Sequence, residues 1–552
     1  MNINHILLLS LIASAQVSAE PSPSASPAVA ELPATLTPPS PDTPRINGPS
    51  VFGVRPGSPF LYAVPATGVR PMTFSAEGLP EGLTLDPATG QITGKLFHEG
   101  TNAVTLIARN ATGEARKPFR IIAGPTICLT PPMGWNSWNC WGGQVSQEKV
   151  LRSAEAIKAA GLDRHGWTYV NIDDGWQGKR GGPLLAIQPN SKFPDMKGLA
   201  DRIHALGLKF GIYSTPWRGS YEGHIGGSCD QRDGTYAWIE SGDHNEFMRI
   251  GNTDPSFNDL PGGAQNEVAR NKSQQGALVM AKRKSNWTFG KFPFADADAR
   301  QWGEWGVDYL KYDWNPIDVP HVEAMSKALG NTGRDIVFSL SNSAPFKNAA
   351  DWQKLATLWR TTGDINDSWK SMSGIGFEKQ GGWVSYEVPG HFNDPDMLVV
   401  GRVGWGNPHP SKLTPDEQYT HVSLWCLLSA PLLLGCDLEH LDPFTLGLIT
   451  NDEVLALDQD ELCKPAVCVT QGTPLKVYVK DLADGTKAIG LFNTGETPAT
   501  LTLDWKQAGL SGKQKLRDLW RQKDLGTFEG SYSAQVPVHG AVLLKAVPSA
   551  GS

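Results

Sequence analysis

From Thr130 onward the chain alternates short apolar runs with amphipathic stretches, and that alternation limits its fold more than any other feature. Strand candidates are PPMGWNSW (131–138), TYVNIDDGW (168–176), LKFGIYSTP (208–216), VDYLKYDW (307–314), DIVFSLSN (335–342), LWRTTGDI (358–365), HFNDPDMLVV (391–400) and PLLLGCDL (431–438). Helical periodicity lies between them. Val150, Ala154 and Ile157 share one face of SQEKVLRSAEAIKAAGL, and Met196, Leu199, Ile203 and Leu206 share one face of PDMKGLADRIHALGL. Gly161 and Gly207 mark the stops. Eight such units predict an α/β chain closed into a (β/α)8 TIM barrel over residues 125–463. An insertion, 217–292, follows the third strand and is rich in Gly, Asn and Trp. The topology sets it on the catalytic rim, where a lid, a distal subsite and an ornamental loop all fit.

The flanks read differently. Residues 1–19 have the form of an export signal: ILLLSLIASA (6–15) is too short to span a bilayer, and VSA before Glu20 is a small-residue cleavage site. A secreted or periplasmic location is therefore expected, and no later segment is long enough for a membrane span. Residues 20–45 form a Pro/Ser-rich linker with no means of packing a core. Over 46–124, short strands and turn dipeptides predict an Ig-like β-sandwich serving as spacer or docking module. Residues 464–552 return to period-two alternation, an antiparallel β-sandwich. The seven cysteines are too few and scattered for a disulfide-held fold, although Cys463 and Cys468 are a candidate pair in an exported chain.

A net charge of −7 gives no electrostatic reason to expect nucleic acid or an anionic membrane as partner. The 19 Trp on a loop-rich scaffold with 59 Gly and 41 Pro suit sugars, whose apolar faces stack on rings, although most Trp in any fold belong to the core.

Barrel enzymes keep their chemistry at the C-terminal ends of the strands. Those ends carry Trp138, Asp173 and Asp174, Lys311 and Asp313, Arg360 and Asp364, then Asp394 and Asp396. A lone Asp after a strand is readily a helix N-cap. Several acids converging with two bases point to chemistry instead. Clustered carboxylates serve either divalent metals or glycoside hydrolysis. Fixed cations inside the cluster repel a dication, and no HExxH, GxSxG, Walker or GxGxxG motif supports another class. In VDYLKYD, alternation puts Val307, Tyr309, Lys311 and Asp313 on one side. Lys311 is then expected to depress the pKa of Asp313, as a nucleophile requires; a purely structural Lys–Asp pair fits the spacing equally well.

TPPMGWNSWNCW, YVNIDDGW, FPDMKGLADRIHALGLKFGIY, GVDYLKYDW, WRTTGDINDSW, FNDPDML and SAPLLLGCDL together resemble glycoside hydrolase family 27, the α-galactosidase and α-N-acetylgalactosaminidase family, over about 130–465. The resemblance implies hydrolysis of α-galactosides with retention and without metal or cofactor. It makes Asp313 the nucleophile and Asp364 the general acid and base. Trp138, Asp173, Asp174, Lys311, Ser341, Arg360, Trp369 and Asp394 become sugar contacts. Two departures stand out. Ser341 occupies the place of an acid that contacts the 2-hydroxyl in α-galactosidases, and with Ala344 it is similar to the N-acetylgalactosaminidase arrangement; a one-residue slip would undo that alignment. Asn315 replaces the cysteine that follows the nucleophile in animal members. Alternatives are an α-N-acetylgalactosaminidase, a β-L-arabinopyranosidase, or an inactive carbohydrate-binding protein, the last disfavoured because both Asp313 and Asp364 are present.

Overall fold

The computed structural model describes residues 35–236, 284–470 and 472–549. The expected signal, the start of the linker and the middle of the insertion lie outside them. Eight parallel strands form one sheet: β1 Met133–Asn136, β2 Tyr169–Asn171, β3 Lys209–Ser214, β4 Tyr309–Asp313, β5 Val337–Ser341, β6 Leu358–Arg360, β7 Phe392–Asp394 and β8 Leu432–Leu434. Their order runs from β7 down to β1 and then to β8. A parallel bridge between Leu398 and Leu434 closes the circle, with Leu398 N donating to Leu433 O at 2.8 Å. The TIM barrel is thus present, each strand inside its expected run.

Helices pack outside the strands. Two of them are α1 Gln147–Ala159 and α2 Met196–Ala205. Ser146 and Asp195 cap them, accepting from the backbone N–H groups of Lys149 and Gly198. Gly161 (φ 72°) and Gly207 (φ 79°) turn the chain left-handed after them, where a Cβ would be strained. The helix after β7, α3 Pro415–Leu427, opens on a Thr414–Glu417 capping box and is buried from Glu417 to Leu427. It has no solvent face because the barrel covers one side and the C-terminal domain the other: Thr420 Oγ1 donates to His539 O at 2.6 Å, and Trp520 Nε1 to Ser423 Oγ at 2.8 Å.

Inside the barrel Tyr169, Tyr309, Val337, Leu358, Phe392 and Leu433 form an apolar floor, with Tyr169 and Tyr309 rings 5.7 Å apart. Leu310 and Tyr312 face the helices instead. The expected two-residue alternation holds from Tyr309 to Asp313. Val307 departs from it, because it precedes the strand and packs in the outer layer with Leu310.

The Ig-like domain has a four-stranded and a three-stranded sheet around a core that includes Ile92, Leu106 and Ile121. It sits against the N-terminal ends of the barrel strands. Arg55 pairs with Asp335 just before β5 at 2.7 Å, and Lys209, the first residue of β3, lies 4.9 Å from the Phe52 ring centroid. The described end of the linker is tied to the barrel. Leu36 N donates to the Tyr419 hydroxyl at 2.8 Å, and Thr37 Oγ1 to Gly447 O at 2.6 Å. The C-terminal domain is a six-stranded antiparallel sheet with a two-stranded one beside it, around Ile489, Leu491, Leu503 and Leu544.

All seven cysteines are free thiols, five buried and two half-buried. The candidate Cys463–Cys468 pair is not formed: Cys463 Sγ contacts Leu129 O at 3.1 Å and Cys468 Sγ contacts Thr470 O at 3.2 Å. Among the described residues no helix is long and apolar enough to cross a membrane.

Candidate active site

A cavity of about 190 Å³ opens at the C-terminal end of the barrel, lined by Trp138, Asn139, Asp173, Asp174, Tyr213, Tyr221, Lys311, Asp313, Asn342, Arg360, Asp364, Asp396 and Met397. β4 supplies its floor. Asp313, the last residue of the strand, is 7% exposed, and its Oδ1 has no hydrogen-bond partner among the described residues. Lys311, two residues earlier on the same face, gives its ammonium to Asp173 Oδ2 at 2.8 Å. Asp173 is in turn fixed by Ser137 Oγ, which accepts from its backbone N–H at 2.9 Å.

The Lys311–Asp173 contact changes the electrostatic reading. Burial pushes the Asp313 carboxyl up to about 7, and Lys311 pulls it down without prevailing. Lys311 thus depresses this pKa in the expected direction, but burial outweighs it, and the expectation that Asp313 is kept ionised, as a nucleophile near neutrality requires, is corrected. Burial also works against the ammonium of Lys311, but Asp173 and Asp313 outweigh it and keep it charged.

Across the cavity Arg360, 3% exposed, holds Asp396 Oδ2 at 2.7 Å and Asp364 Oδ1 at 3.2 Å. Asp364 stands at the mouth with its side chain 74% exposed. Partial burial raises its pKa, yet Arg360 and Lys311 outweigh that and hold it below the ordinary carboxylate value. Asp396 is raised by burial, against the pull of Arg360. Asp174 is pushed up to about 7 by burial, with Glu222 adding, and its Oδ2 accepts from Glu222 N at 2.9 Å.

Eight of the residues singled out from the sequence are brought to this cavity: Trp138, Asp173, Asp174, Lys311, Asp313, Arg360, Asp364 and Asp396. Three expected contacts are not. Ser341 pairs with Asp313 in the sheet and is buried in the floor, whereas the next residue, Asn342, turns at φ 80° and reaches the cavity. Asp394 lies behind the wall, where its Oδ1 accepts from Asp396 N at 2.8 Å and so aims the later acid at Arg360. Trp369 stacks on His539 at 3.9 Å, joining the barrel to the C-terminal domain.

Five lining residues went unmarked in the sequence: Asn139, Met397, Tyr213, Asn342 and Tyr221. Tyr213 pairs with Lys311 in register, so strand alignment could have found it. Asn342 lies one residue past β5. Tyr221 belongs to the insertion, backed by Trp287 at 4.8 Å and Trp217 at 5.4 Å; no periodicity marks it.

Asp313 Oδ1, Asp174 Oδ1 and the Tyr213 hydroxyl are all buried without protein partners among the described residues. Such groups can be satisfied by water or by the hydroxyls of a ligand. Carboxyl groups facing one cavity, among fixed cations at the strand ends of a TIM barrel, suit glycoside hydrolysis. The sequence family described as Alpha galactosidase A matches residues 130–240 and 276–460. The chain belongs to that α-galactosidase family, glycoside hydrolase family 27.

Its C-terminal beta sandwich family matches 472–546, and an Ig-domain family matches 43–123. Alpha-galactosidase 2 of Arabidopsis thaliana is 33% identical over 429 residues, which cover 76% of this chain and 90% of that one. A solved structure from Bacteroides fragilis superposes with a TM-score of 0.75 at 31% identity, covering 92% of this chain and 98% of that one. Alpha-galactosidase I of Mortierella vinacea gives 0.61 at 28% identity, covering 77% and 98%. A β-L-arabinopyranosidase of Geobacillus stearothermophilus gives 0.59 at 27%, also covering 77% and 98%.

Proposed function

We propose that the protein is an exported, retaining exo-glycosidase that releases terminal α-linked galactose by double displacement. The observation that carries this reading is the placement of Asp313 and Asp364 in one cavity, Asp313 buried on the floor and Asp364 exposed at the mouth. Asp313 attacks the anomeric carbon while Asp364 gives its proton to the departing glycosidic oxygen. A water then attacks the glycosyl-enzyme, Asp364 takes its proton, and Asp313 leaves as carboxylate. Asp173, Asp174, Lys311 and Arg360 hold sugar hydroxyls, and Trp138 walls the ring.

In the open site the proton belongs on Asp313 rather than Asp364, the reverse of what the first step needs. Seating a sugar corrects this in two ways. It strips water from Asp364, which favours the neutral acid, and it brings hydroxyl donors to Asp313, which favour the carboxylate.

A second reading, α-N-acetylgalactosaminidase, is favoured by one observation: the residue that β5 sends to the cavity is the amide Asn342, not an acid. A panel of p-nitrophenyl α-galactoside, α-N-acetylgalactosaminide and β-L-arabinopyranoside separates the three, and the α-galactoside is expected to be turned over fastest. Full turnover by Asp313→Ala would remove the nucleophile assignment. Export predicts a mature N-terminus at Glu20, read from the mass of the protein secreted by its own host.

A further inference from the structure

Every polar atom of Asp396 is engaged. The residue follows β7 in left-handed backbone at φ 90° and is 4% exposed. Its N–H donates to Asp394 Oδ1 at 2.8 Å, and its carbonyl accepts from Trp425 Nε1 at 2.7 Å. Its Oδ1 accepts from Met397 N at 2.8 Å. Its Oδ2 takes two donors, Arg360 Nη2 at 2.7 Å and Ile365 N at 2.8 Å. With both lone pairs used, that oxygen has none left for a sugar hydroxyl.

Both partners of Oδ2 lead to Asp364. Ile365 is the next residue along the chain, so the bond to its N–H pins the backbone beside the acid. Arg360 offers the same Nη2 to Asp364 Oδ1, at the longer distance of 3.2 Å. One cation thus stands between two carboxylates, and the nearer carboxylate takes the larger share of its attraction. That division bears on what Asp364 must do. Even with Asp396 in place, Arg360 holds Asp364 below its ordinary value. An undivided guanidinium would keep it ionised more firmly, with no proton for the departing oxygen. The two carboxylates also repel: the charge on Asp364 raises Asp396, and the reciprocal push favours the protonated form of Asp364.

We propose that Asp396 is a positioning residue for the acid step: through the Ile365 N–H and Arg360 it fixes Asp364 at the mouth and takes up the charge of the guanidinium beside it. This rests on the galactosidase reading above, with Asp364 as the acid. Asp396 acts through Asp364 and not on the sugar. Its loss therefore falls on substrates whose leaving group needs a proton, and spares those whose leaving group departs as an anion.

The test compares methyl α-galactoside, whose alkoxide must be protonated to leave, with p-nitrophenyl α-galactoside, whose phenolate departs readily without a proton. Asp396→Asn keeps the size of the side chain and an acceptor for Ile365 N, and removes the charge. It is expected to lose about ten- to a hundredfold in kcat/KM on the methyl galactoside and no more than about threefold on the aryl one. Retained aryl turnover also reports that the variant is folded. Asp396→Glu, which keeps the charge, should recover part of the methyl galactoside loss. Adding Asp396→Asn to Asp364→Ala should cost nothing further on the aryl substrate, because the group it acts through is gone. Equal losses on the two substrates, or a further loss in the Asp364→Ala background, would make Asp396 a sugar contact or a structural residue and overturn the proposal. No loss on either substrate would overturn it as well. Wild-type protein inert toward both galactosides would overturn the galactosidase reading itself.

Discussion

At the residue scale the two carboxyl groups share a proton account. Asp313 is raised to about 7 by burial, and Asp364 is held below its ordinary value by Arg360 and Lys311. Between those limits the pair carries one proton, the number that a nucleophile and an acid together need. Activity is expected to fall as pH rises through about 7, where the proton is lost, and to persist into the acid range until Asp364 and Asp313 are both protonated. Lys311 pulls the Asp313 pKa down, so Lys311→Met raises it further. The alkaline limb of the kcat/KM profile should then move to higher pH while its plateau drops. A limb that stays put, or moves down, would mean that Lys311 acts through Asp173 alone.

At the scale of elements, the cavity is shaped by where strands end and loops turn. Tyr221 is held by ring packing, with Trp287 at 4.8 Å and Trp217 stacked 6.1 Å from Trp287. Removing one aromatic contact of this kind costs about 0.5–1.5 kcal/mol. Trp287→Ala should therefore lower kcat/KM on the galactoside by about two- to tenfold, although Trp287 is not itself a lining residue. Steady-state kinetics of the purified variant read this directly. All eight strands were legible from apolar runs, and the face carrying Lys311 and Asp313 from period-two alternation, because both are local properties. The partner of Lys311 was not, since Asp173 is 138 residues away and only the register of the closed sheet brings it near. Choosing between Asp394 and Asp396 depended on a turn at φ 90° that no spacing encodes. Ser341 and Asn342 were confused for a similar reason: the strand ends at one and the left-handed turn begins at the other.

At the scale of the whole molecule, the three domains divide the work. The Ig-like domain lies at the N-terminal ends of the strands, opposite the cavity, tied by the Arg55–Asp335 pair. Arg55→Ala gives up the charged, half-buried hydrogen bond from its Nε to Asp335 Oδ1, worth about 1.5–3 kcal/mol, and keeps the bond from its backbone N–H. It should lower the thermal midpoint and leave kcat/KM on small aryl galactosides unchanged; a catalytic defect would mean the domain reaches further than its contacts. The C-terminal sandwich is joined more deeply, through the buried α3 and the Trp369–His539 stack. The unpaired thiols have a practical corollary for production. Cys140, Cys229, Cys426, Cys436 and Cys463 are buried, and Cys128 is driven up to about 12 by its surroundings. Nothing in the folded chain waits on an oxidant. Expression in a reducing cytosol should yield enzyme as active as material from an oxidising compartment, and an excess of dithiothreitol should leave both its turnover and its melting curve where they were.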